Sequence, residues 1–180
     1  MRILIYGNSG SGKSTLAKFI AKKYNLTHLD LDPLAWSQAK DGTPVRTDLT
    51  DVTVTLNEFN EQHTDWVIEG CYSDIINLIS EKATTMVFLD LSIDDCIHNA
   101  KERPWEPHKY KTKALQDENL AMLINWIMDY PNRTDDLSHT AHLNLYQHFH
   151  GTKYRLIERP LLEGDGLNFL MNDSNNNCDF

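Results

Sequence analysis

Eight consecutive residues near the start of the chain combine the residue types that bind phosphate. Residues 7–14 read Gly-Asn-Ser-Gly-Ser-Gly-Lys-Ser and directly follow the apolar run at 3–6. Glycines let backbone N–H groups turn toward an anion, and the amino-terminal end of a following helix adds positive partial charge. The lysine supplies a mobile positive charge for the β- and γ-phosphates, and the last serine is placed to ligate Mg²⁺. This loop therefore predicts nucleotide binding.

The predicted nucleotide-binding set extends slightly beyond the loop. Thr15 can add a hydroxyl donor, and Arg133 follows the helix-breaking Pro131, where a guanidinium could meet phosphate. The alternative is a surface turn rich in glycine and serine, which we disfavour because a predicted strand and a predicted helix flank the motif. The nucleotide-binding candidates are Gly7, Asn8, Ser9, Gly10, Ser11, Gly12, Lys13, Ser14, Thr15 and Arg133.

Two aspartates lie at the end of the second predicted strand. Asp30 and Asp32 are two residues apart, so on a strand both would point to one face, beside the phosphate-binding loop. One of the two carboxylates could hold a water of the Mg²⁺ shell while the other orients or deprotonates an attacking hydroxyl. Alternatively, Asp32 starts the turn before Pro33 and Asp30 caps a backbone N–H.

Acidic residues also end the third and fourth predicted strands. Glu69 could contact substrate or support the metal, or it could be a solvated charge, and Gly70 would let a substrate approach the backbone. Four apolar residues followed by Asp90 are typical of a Walker B strand, which predicts that Asp90 lies next to the Mg²⁺ position, near Ser14. Leu91 stands where motor ATPases carry a glutamate, which disfavours a hydrolysis-driven machine.

Residues 101–113 concentrate basic side chains in an otherwise acidic chain. We expect a lid at about 102–113 that closes over the phosphates, with Arg103 as the catalytic arginine that stabilises transferred charge. A solvated basic loop is the alternative, and it fits the lysines better than Arg103.

Composition limits the classes of partner. The chain has 180 residues, which suits one α/β domain, and a formal charge of −9, which argues against broad binding to nucleic acid or anionic lipid. Its three cysteines form no CxxC pair, so we expect free thiols. No apolar run is long enough to span a bilayer, and Met1 leads directly into a predicted strand, so we expect a cytoplasmic protein.

Apolar, β-rich runs alternate with helical patterns along the chain. This alternation predicts a parallel sheet with helices on both faces, built from strands at 3–6, 27–29, 66–68, 86–89 and 154–157 and helices at 13–24, 49–63, 93–101, 114–130 and 133–149. We expect one domain over 1–170 and a disordered tail at 171–180. Four histidines between 139 and 150 fit an exposed helix face better than a metal site, because no carboxylate or cysteine completes a ligand set.

Several motifs together resemble a known family. Residues 29–36 (Leu-Asp-Leu-Asp-Pro-Leu-Ala-Trp), 66–73 (Trp-Val-Ile-Glu-Gly-Cys-Tyr-Ser) and 87–90 (Val-Phe-Leu-Asp), with the phosphate-binding loop, are similar to adenylate-kinase-like P-loop proteins of the DNA topology modulation (FlaR-like) group. More distantly they resemble shikimate and nucleoside monophosphate kinases. The resemblance implies a P-loop NTPase fold, a five-stranded parallel sheet with a short lid and an acceptor-binding region at about 33–65.

The resemblance also implies residue roles. On shikimate-kinase-like logic, Asp30 matches the metal-side aspartate, Asp32 the acceptor-side one, and Arg46 falls where an arginine could bind the acceptor. Adenylate kinases have Asp-Gly-Phe-Pro-Arg where this chain has residues 69–72 with no arginine following, which argues against a nucleoside monophosphate acceptor. The substrate-binding candidates are Asp32, Trp36, Arg46, Glu69 and Gly70.

The sequence therefore predicts an ATP- and Mg²⁺-dependent kinase that transfers the γ-phosphoryl group to a hydroxyl or phosphate of a small acceptor. Its catalytic candidates are Lys13, Asp32 and Arg103. The alternative is a non-enzymatic ATP-binding sensor whose lid closure alters a partner surface. A GTPase-like switch is disfavoured because the chain has no Asn-Lys-x-Asp motif. Neither the acceptor nor the oligomeric state follows from the sequence.

Overall fold

A computed structural model describes residues 1–39, 41–107, 111–162, 167, 170 and, as backbone only, 178–179. Strands and helices alternate along the chain as the apolar pattern predicts. The elements are β1 Arg2–Gly7, α1 Lys13–Tyr24, β2 Thr27–Asp30, α2 Asp32–Ala35, β3 Trp36–Gln38, β4 Pro44–Arg46, α3 Leu49–Gln62, β5 Trp66–Gly70, α4 Ser73–Ser80, β6 Thr85–Leu89, α5 Ile93–Glu102, α6 Lys113–Glu118, α7 Leu120–Asp129, α8 His139–His148, β7 Thr152–Leu156 and β8 Cys178–Asp179.

The main sheet is parallel, with strand order β2-β5-β1-β6-β7-β8. The five longer strands confirm the predicted α/β P-loop fold, and β8 adds two backbone residues beside β7. β1 lies between β5 and β6, so its carboxyl end, where the phosphate-binding loop starts, is at the middle of the sheet. In open parallel sheets, ligands bind at this edge.

Apolar side chains on the two faces of the sheet form two separate cores. On one face, Ile3 and Ile5 of β1 pack with α1, α5 and α7. On the other face, Leu4 and Tyr6 pack with α3, α4 and α8. The alternation of side chains along a strand explains this division, because successive residues point to opposite faces. Both faces are thus covered, which is the condition under which a parallel sheet is stable.

Several elements differ from the sequence-based prediction. The single helix expected at 114–130 is two helices, because α6 ends at Glu118 and the Asn119 side chain donates a hydrogen bond back to the Leu115 carbonyl. The helix expected at 133–149 begins only at His139, capped by Ser138. The prediction also missed α2 and the β3–β4 hairpin, which fall in or at the start of the predicted acceptor region, and α4, which follows β5.

Two further sequence-based expectations concern membranes and the chain end. None of the helices in the described residues is both long and apolar enough to cross a bilayer. The predicted tail at 171–180 falls outside the described residues except for β8, so its disorder stays a prediction.

The loop between β1 and α1 packs directly against two backbone carbonyls. A Cβ built on Gly7 would lie 2.3 Å from the Leu89 carbonyl oxygen, and one on Gly10 would lie 2.2 Å from that of Cys96. Asn99 of α5 donates a hydrogen bond of 2.9 Å to the Gly10 carbonyl from the same side. Glycine is therefore required here by close packing as well as by backbone conformation.

We expect Gly10→Ala to destabilise the fold more than Gly42→Ala. Both glycines have positive φ, +77° and +84°, but no described atom lies within 4 Å of a Cβ at Gly42. The left-handed backbone alone costs about 1 kcal/mol, and the contact with the Cys96 carbonyl adds about 1–3 kcal/mol at Gly10. Urea unfolding measures both free energies, and equal losses would contradict the packing argument.

Candidate functional site

Asn8 holds the phosphate-binding loop in shape. Its side chain donates a hydrogen bond of 3.2 Å to the Ile127 carbonyl of α7 and accepts one of 2.8 Å from the Ser9 N–H. The Asn8 carbonyl accepts a hydrogen bond of 2.9 Å from Lys13 Nζ. Asn8 is itself buried. The loop is thus tied to a helix on one face of the sheet, and the lysine is folded over the loop.

The loop has the features of an anion site. α1 begins after Gly12, and no side chain caps its first N–H groups. The Ser11 hydroxyl is buried and has no hydrogen-bond partner among the described residues. Uncapped N–H groups, an unsatisfied hydroxyl and the Lys13 ammonium are the donors that a phosphate accepts from. The geometry fits the predicted phosphate site.

Asp30 and Asp32 do not share a strand, so that expectation is wrong. β2 ends at Asp30, whose carboxylate accepts a hydrogen bond of 2.9 Å from the Asp32 N–H and so turns the chain into α2. Asp32 accepts a hydrogen bond of 3.0 Å from the Tyr72 hydroxyl, which in turn accepts one of 2.9 Å from Trp36 Nε1. Asp32 is therefore oriented toward the predicted acceptor residue Trp36 through Tyr72.

Arg46 completes this group. It lies directly opposite Trp36 in the β3–β4 hairpin, so its guanidinium carbon is 5.5 Å from the centre of the Trp36 ring and 4.9 Å from that of Tyr72. We call Asp32, Trp36, Arg46 and Tyr72 the acceptor cluster. Asp74, at the start of α4, binds Arg46 with an Nη2 to Oδ2 distance of 2.5 Å. Three of the predicted substrate residues are thus brought together.

Glu69 and Gly70 are packed inside the protein, whereas the sequence suggested that they could contact solvent or a substrate. Glu69 is only 2% exposed, with Oε1 3.7 Å from His28 Nε2, so the solvated-charge alternative is wrong. The space that a side chain at Gly70 would occupy is filled by Leu31, whose Cβ lies 2.9 Å away, so glycine there makes room for packing. The prediction that Gly70 admits a substrate overlooked α2, which brings Leu31 to this point.

Cys71 directly follows β5, the strand that pairs with both β1 and β2. Burial raises the pKa of its thiol to about 11, while the charge of Lys13 acts to lower it and those of Asp32 and Glu69 act to raise it. β5, which Cys71 follows, lies between β1 and β2 in the sheet, so the phosphate-binding loop and Asp32 both leave the sheet at its carboxyl edge.

Asp90 is held by two basic side chains. Arg155 of β7 donates to Oδ2 from Nε at 2.8 Å and from Nη2 at 2.6 Å, and His139 Nε2 lies 3.1 Å from Oδ1. These contacts orient the carboxylate at the end of β6. They are compatible with a role of Asp90 in Mg²⁺ binding. Magnesium usually keeps several waters, so an oriented carboxylate can bind one of those waters. No group of three His, Cys, Asp or Glu in the described residues could hold a metal alone.

The two arginines predicted to meet phosphate are engaged with acids. Arg103 follows α5 directly, and its Nη1 lies 3.1 Å from Glu106 Oε2. Arg133 binds both oxygens of Asp135, at 3.0 and 2.5 Å, and its guanidinium carbon is 3.6 Å from the centre of the Trp126 ring. Residues 108–110 of the expected lid lie outside the described residues, so lid closure stays a prediction.

Sequence reasoning missed four side chains at this edge. Tyr72 and Asp74 follow β5, and His139 and Arg155 anchor Asp90 from α8 and β7. A sequence signal could have drawn attention to Tyr72 and Asp74. Ser and Asp shortly after a strand-end glycine are typical of the start of a helix. The other two come from distant parts of the chain and carry no local signal.

His142 is fully buried, which corrects the expectation of an exposed histidine face. Its Nε2 donates to the Cys71 carbonyl at 2.8 Å, and its Nδ1 accepts from the Tyr130 hydroxyl at 2.7 Å. The Tyr6 hydroxyl donates to the His142 carbonyl at 3.3 Å. This neutral ring connects α8 to the strand-end segment between the loop and the acceptor cluster.

Comparisons with known proteins agree with this fold. The chain is 44% identical over 45 residues to an adenylate kinase of Pyrococcus furiosus and 48% identical over 40 residues to one of Wigglesworthia glossinidia brevipalpis. These matches cover 25% and 22% of this chain and only 20% and 19% of those enzymes, so the chain matches about a fifth of each relative's length. No family model matches the chain.

A solved structure matches over almost the whole chain. Shikimate kinase from Bacteroides thetaiotaomicron superposes with a TM-score of 0.51 over 95% of this chain and 94% of that one, at 17% sequence identity. At this identity the likeness shows the fold alone. The chain therefore has the P-loop kinase fold.

We expect the substitution His142→Gln to lower the free energy of unfolding, relative to wild type, by less in acid than at neutral pH. Burial lowers the pKa of His142 to about 4, and the unfolded chain has a histidine pKa near 6.5. Stability from the neutral ring is therefore complete above pH 6.5 and falls, by up to about 3 kcal/mol, as pH drops toward 4. The gap in unfolding free energy between wild type and variant should narrow between pH 7.5 and pH 4.5.

Urea unfolding at the two pH values measures this gap. His148→Gln changes an exposed ring on the same helix and controls for loss of an imidazole. A gap that stays constant or widens in acid would contradict the assignment of a buried neutral ring.

Proposed function

We propose that this protein is an ATP-dependent kinase that transfers the γ-phosphoryl group to a hydroxyl or phosphate of a small acceptor. The observation that carries the proposal is the meeting of two unlike groups at the carboxyl edge of the sheet. β5 pairs in parallel with both β1 and β2, so the loop that carries Lys13 and the turn that carries Asp32 leave the same edge of the sheet on either side of β5. A donor site and an acceptor site side by side are what phosphoryl transfer requires.

The chain's own residues divide the work. Loop N–H groups, Ser11 and Lys13 bind the phosphates, and Asp32 orients the acceptor hydroxyl. Ser14 and Asp30 offer the oxygen ligands that suit Mg²⁺, and Asp90 would bind a water of its shell; the bound ion would neutralise phosphate charge. Arg103 is the candidate for stabilising transferred charge if the lid brings it from Glu106 to the phosphate.

The transfer step balances without any further reactant. The acceptor oxygen forms a bond to the γ-phosphorus, while the bond from that phosphorus to the β–γ bridging oxygen breaks. The bridging oxygen keeps the electron pair and leaves as part of ADP. The hydroxyl proton passes to the Asp32 carboxylate, which the Tyr72 hydroxyl holds in place.

The matched enzymes support the class of reaction, and their short aligned segments leave the acceptor open. We also propose that the protein belongs to the DNA topology modulation group and that it is cytoplasmic. The competing candidate, a non-enzymatic ATP sensor, would bind ATP and show no product on any small molecule.

We expect Asp32→Asn to reduce phosphoryl transfer while leaving ATP affinity unchanged. Asparagine keeps an oxygen that accepts the Tyr72 hydrogen bond but cannot take a proton, so transfer should fall by roughly 100-fold or more. Transfer is measured with γ-labelled ATP and a panel of polyols, sugar acids, shikimate, nucleosides and nucleoside monophosphates.

Asp51→Asn, at an exposed position of α3, is the matched control and should keep full activity. Unchanged transfer in Asp32→Asn would remove Asp32 from the reaction. Tight ATP binding without transfer to any compound by wild type would favour the sensor.

A further inference from the structure

The charge of Arg46 in the acceptor cluster is already balanced by the chain itself. Its Nη2 binds Asp74 Oδ2 at 2.5 Å, and its Nη1 donates to the Ala35 carbonyl at 3.5 Å. The rings of Trp36 and Tyr72 pack against the guanidinium. Arg46 is therefore fixed on several sides rather than held ready for an anionic ligand.

Asp74 is fixed as firmly as its partner. It lies in the first turn of α4, where its Oδ1 accepts a hydrogen bond of 2.9 Å from the Ile75 N–H. A carboxylate at a helix amino terminus is stabilised by the helix dipole. Separating Arg46 from Asp74 would therefore break an ion pair whose two side chains are held in position by β4 and α4.

A second carboxylate adds to the negative charge at this point. The Asp136 backbone carbonyl accepts a hydrogen bond of 3.1 Å from the Ser73 N–H, which places Asp136 beside the start of α4. Burial raises the pKa of Asp136, and so does the neighbouring charge of Asp74, while Arg46 acts to lower it. Of the described charged side chains that shift the pKa of Asp136, two aspartates, Asp74 and Asp135, raise it and one arginine, Arg46, lowers it.

A cavity opens from these residues. It has a volume of about 720 Å³ and runs between α4 and α8, with Ser73, Asp74 and Asp136 at one end. Its walls also carry the polar side chains of Asn77, Glu81, Asn144 and His148. Ligand pockets for small molecules have volumes of about 300–1,000 Å³. The cavity falls within this range, but none of the residues that line it belongs to the acceptor cluster or to the phosphate-binding loop, so it adjoins Asp74 rather than Asp32.

We propose that the acceptor is a polyhydroxylated molecule without an acidic group, either uncharged or carrying an amine. This inference rests on the proposed kinase function and narrows its acceptor. A carboxylate or phosphate on the acceptor would have to take Arg46 from Asp74 and would leave that carboxylate unpaired beside Asp136. Hydroxyl and amino groups instead donate hydrogen bonds to these carboxylates and leave the Arg46–Asp74 pair intact.

The test compares acceptors of similar size and different charge. Wild-type protein with γ-labelled ATP is offered sorbitol, myo-inositol, glucosamine, gluconate, shikimate and AMP, and kcat/KM is measured for each. We expect at least one uncharged or amine-bearing acceptor to exceed every acidic one by roughly 10- to 100-fold, since opposing like charges disfavours the wrong ligand.

Asp74→Asn separates charge selection from a structural role. It frees Arg46, so the preference against acidic acceptors should shrink about tenfold or reverse, with ATP affinity unchanged and a small drop in melting temperature from the lost ion pair. Asp136→Asn, which removes a charge from the other side, should shift the preference in the same direction if Asp74→Asn does not fold. Glu118→Gln, at an exposed position at the end of α6 and outside the cavity, is the control and should leave the preference unchanged.

Each outcome decides one of the two proposals. Wild-type preference for an acidic acceptor would overturn this inference and keep the kinase. Equal losses for all acceptors in folded Asp74→Asn and Asp136→Asn would show a structural role and overturn it as well. ATP binding without transfer to any compound would overturn the proposed function itself.

Discussion

The close packing of a loop without side chains against two backbone carbonyls is the constraint on which the site depends. Gly7 packs against the carbonyl oxygen of Leu89, and Gly10 packs against that of Cys96. A Cβ atom at either glycine would overlap with the neighbouring oxygen. This contact seats the loop at the end of the central strand and starts α1 beneath it. The uncapped N–H groups of that helix and the Lys13 ammonium are thus hydrogen-bond donors that lie together at the middle of the sheet.

A second set of contacts builds the neighbouring acceptor side. The β3–β4 hairpin places Trp36 opposite Arg46, and Tyr72 links Trp36 to Asp32 through two hydrogen bonds at its hydroxyl. The hairpin contributes little to either core, and its strands are exposed. Its position is set by polar and aromatic contacts to the strand-end segments. The cluster it forms is therefore specific in geometry while resting on few apolar contacts.

The sequence predicted most of the fold and the local motifs of the candidate site for physical reasons. Strands such as β5 and β6 are continuous apolar runs, and the phosphate-binding loop is a local motif, so both are readable from neighbouring residues. The ion pairs of Asp90 with Arg155 and of Arg46 with Asp74 join residues 65 and 28 positions apart. Such pairs leave no periodic pattern, and the short α2 turned Asp32 off the strand on which simple alternation had placed it.

Binding of a magnesium complex of a non-hydrolysable ATP analogue, measured by isothermal titration calorimetry, tests the central claim most directly. The account predicts one site per chain in wild-type protein and an affinity roughly 10- to 100-fold weaker in Lys13→Ala, because a hydrogen bond to a charged group contributes about 1.5–3 kcal/mol. Lys18→Ala, at an exposed position of the same helix, should bind as wild type does. No binding to wild type, or equal affinity in Lys13→Ala, would contradict the assignment of this loop as a nucleotide site.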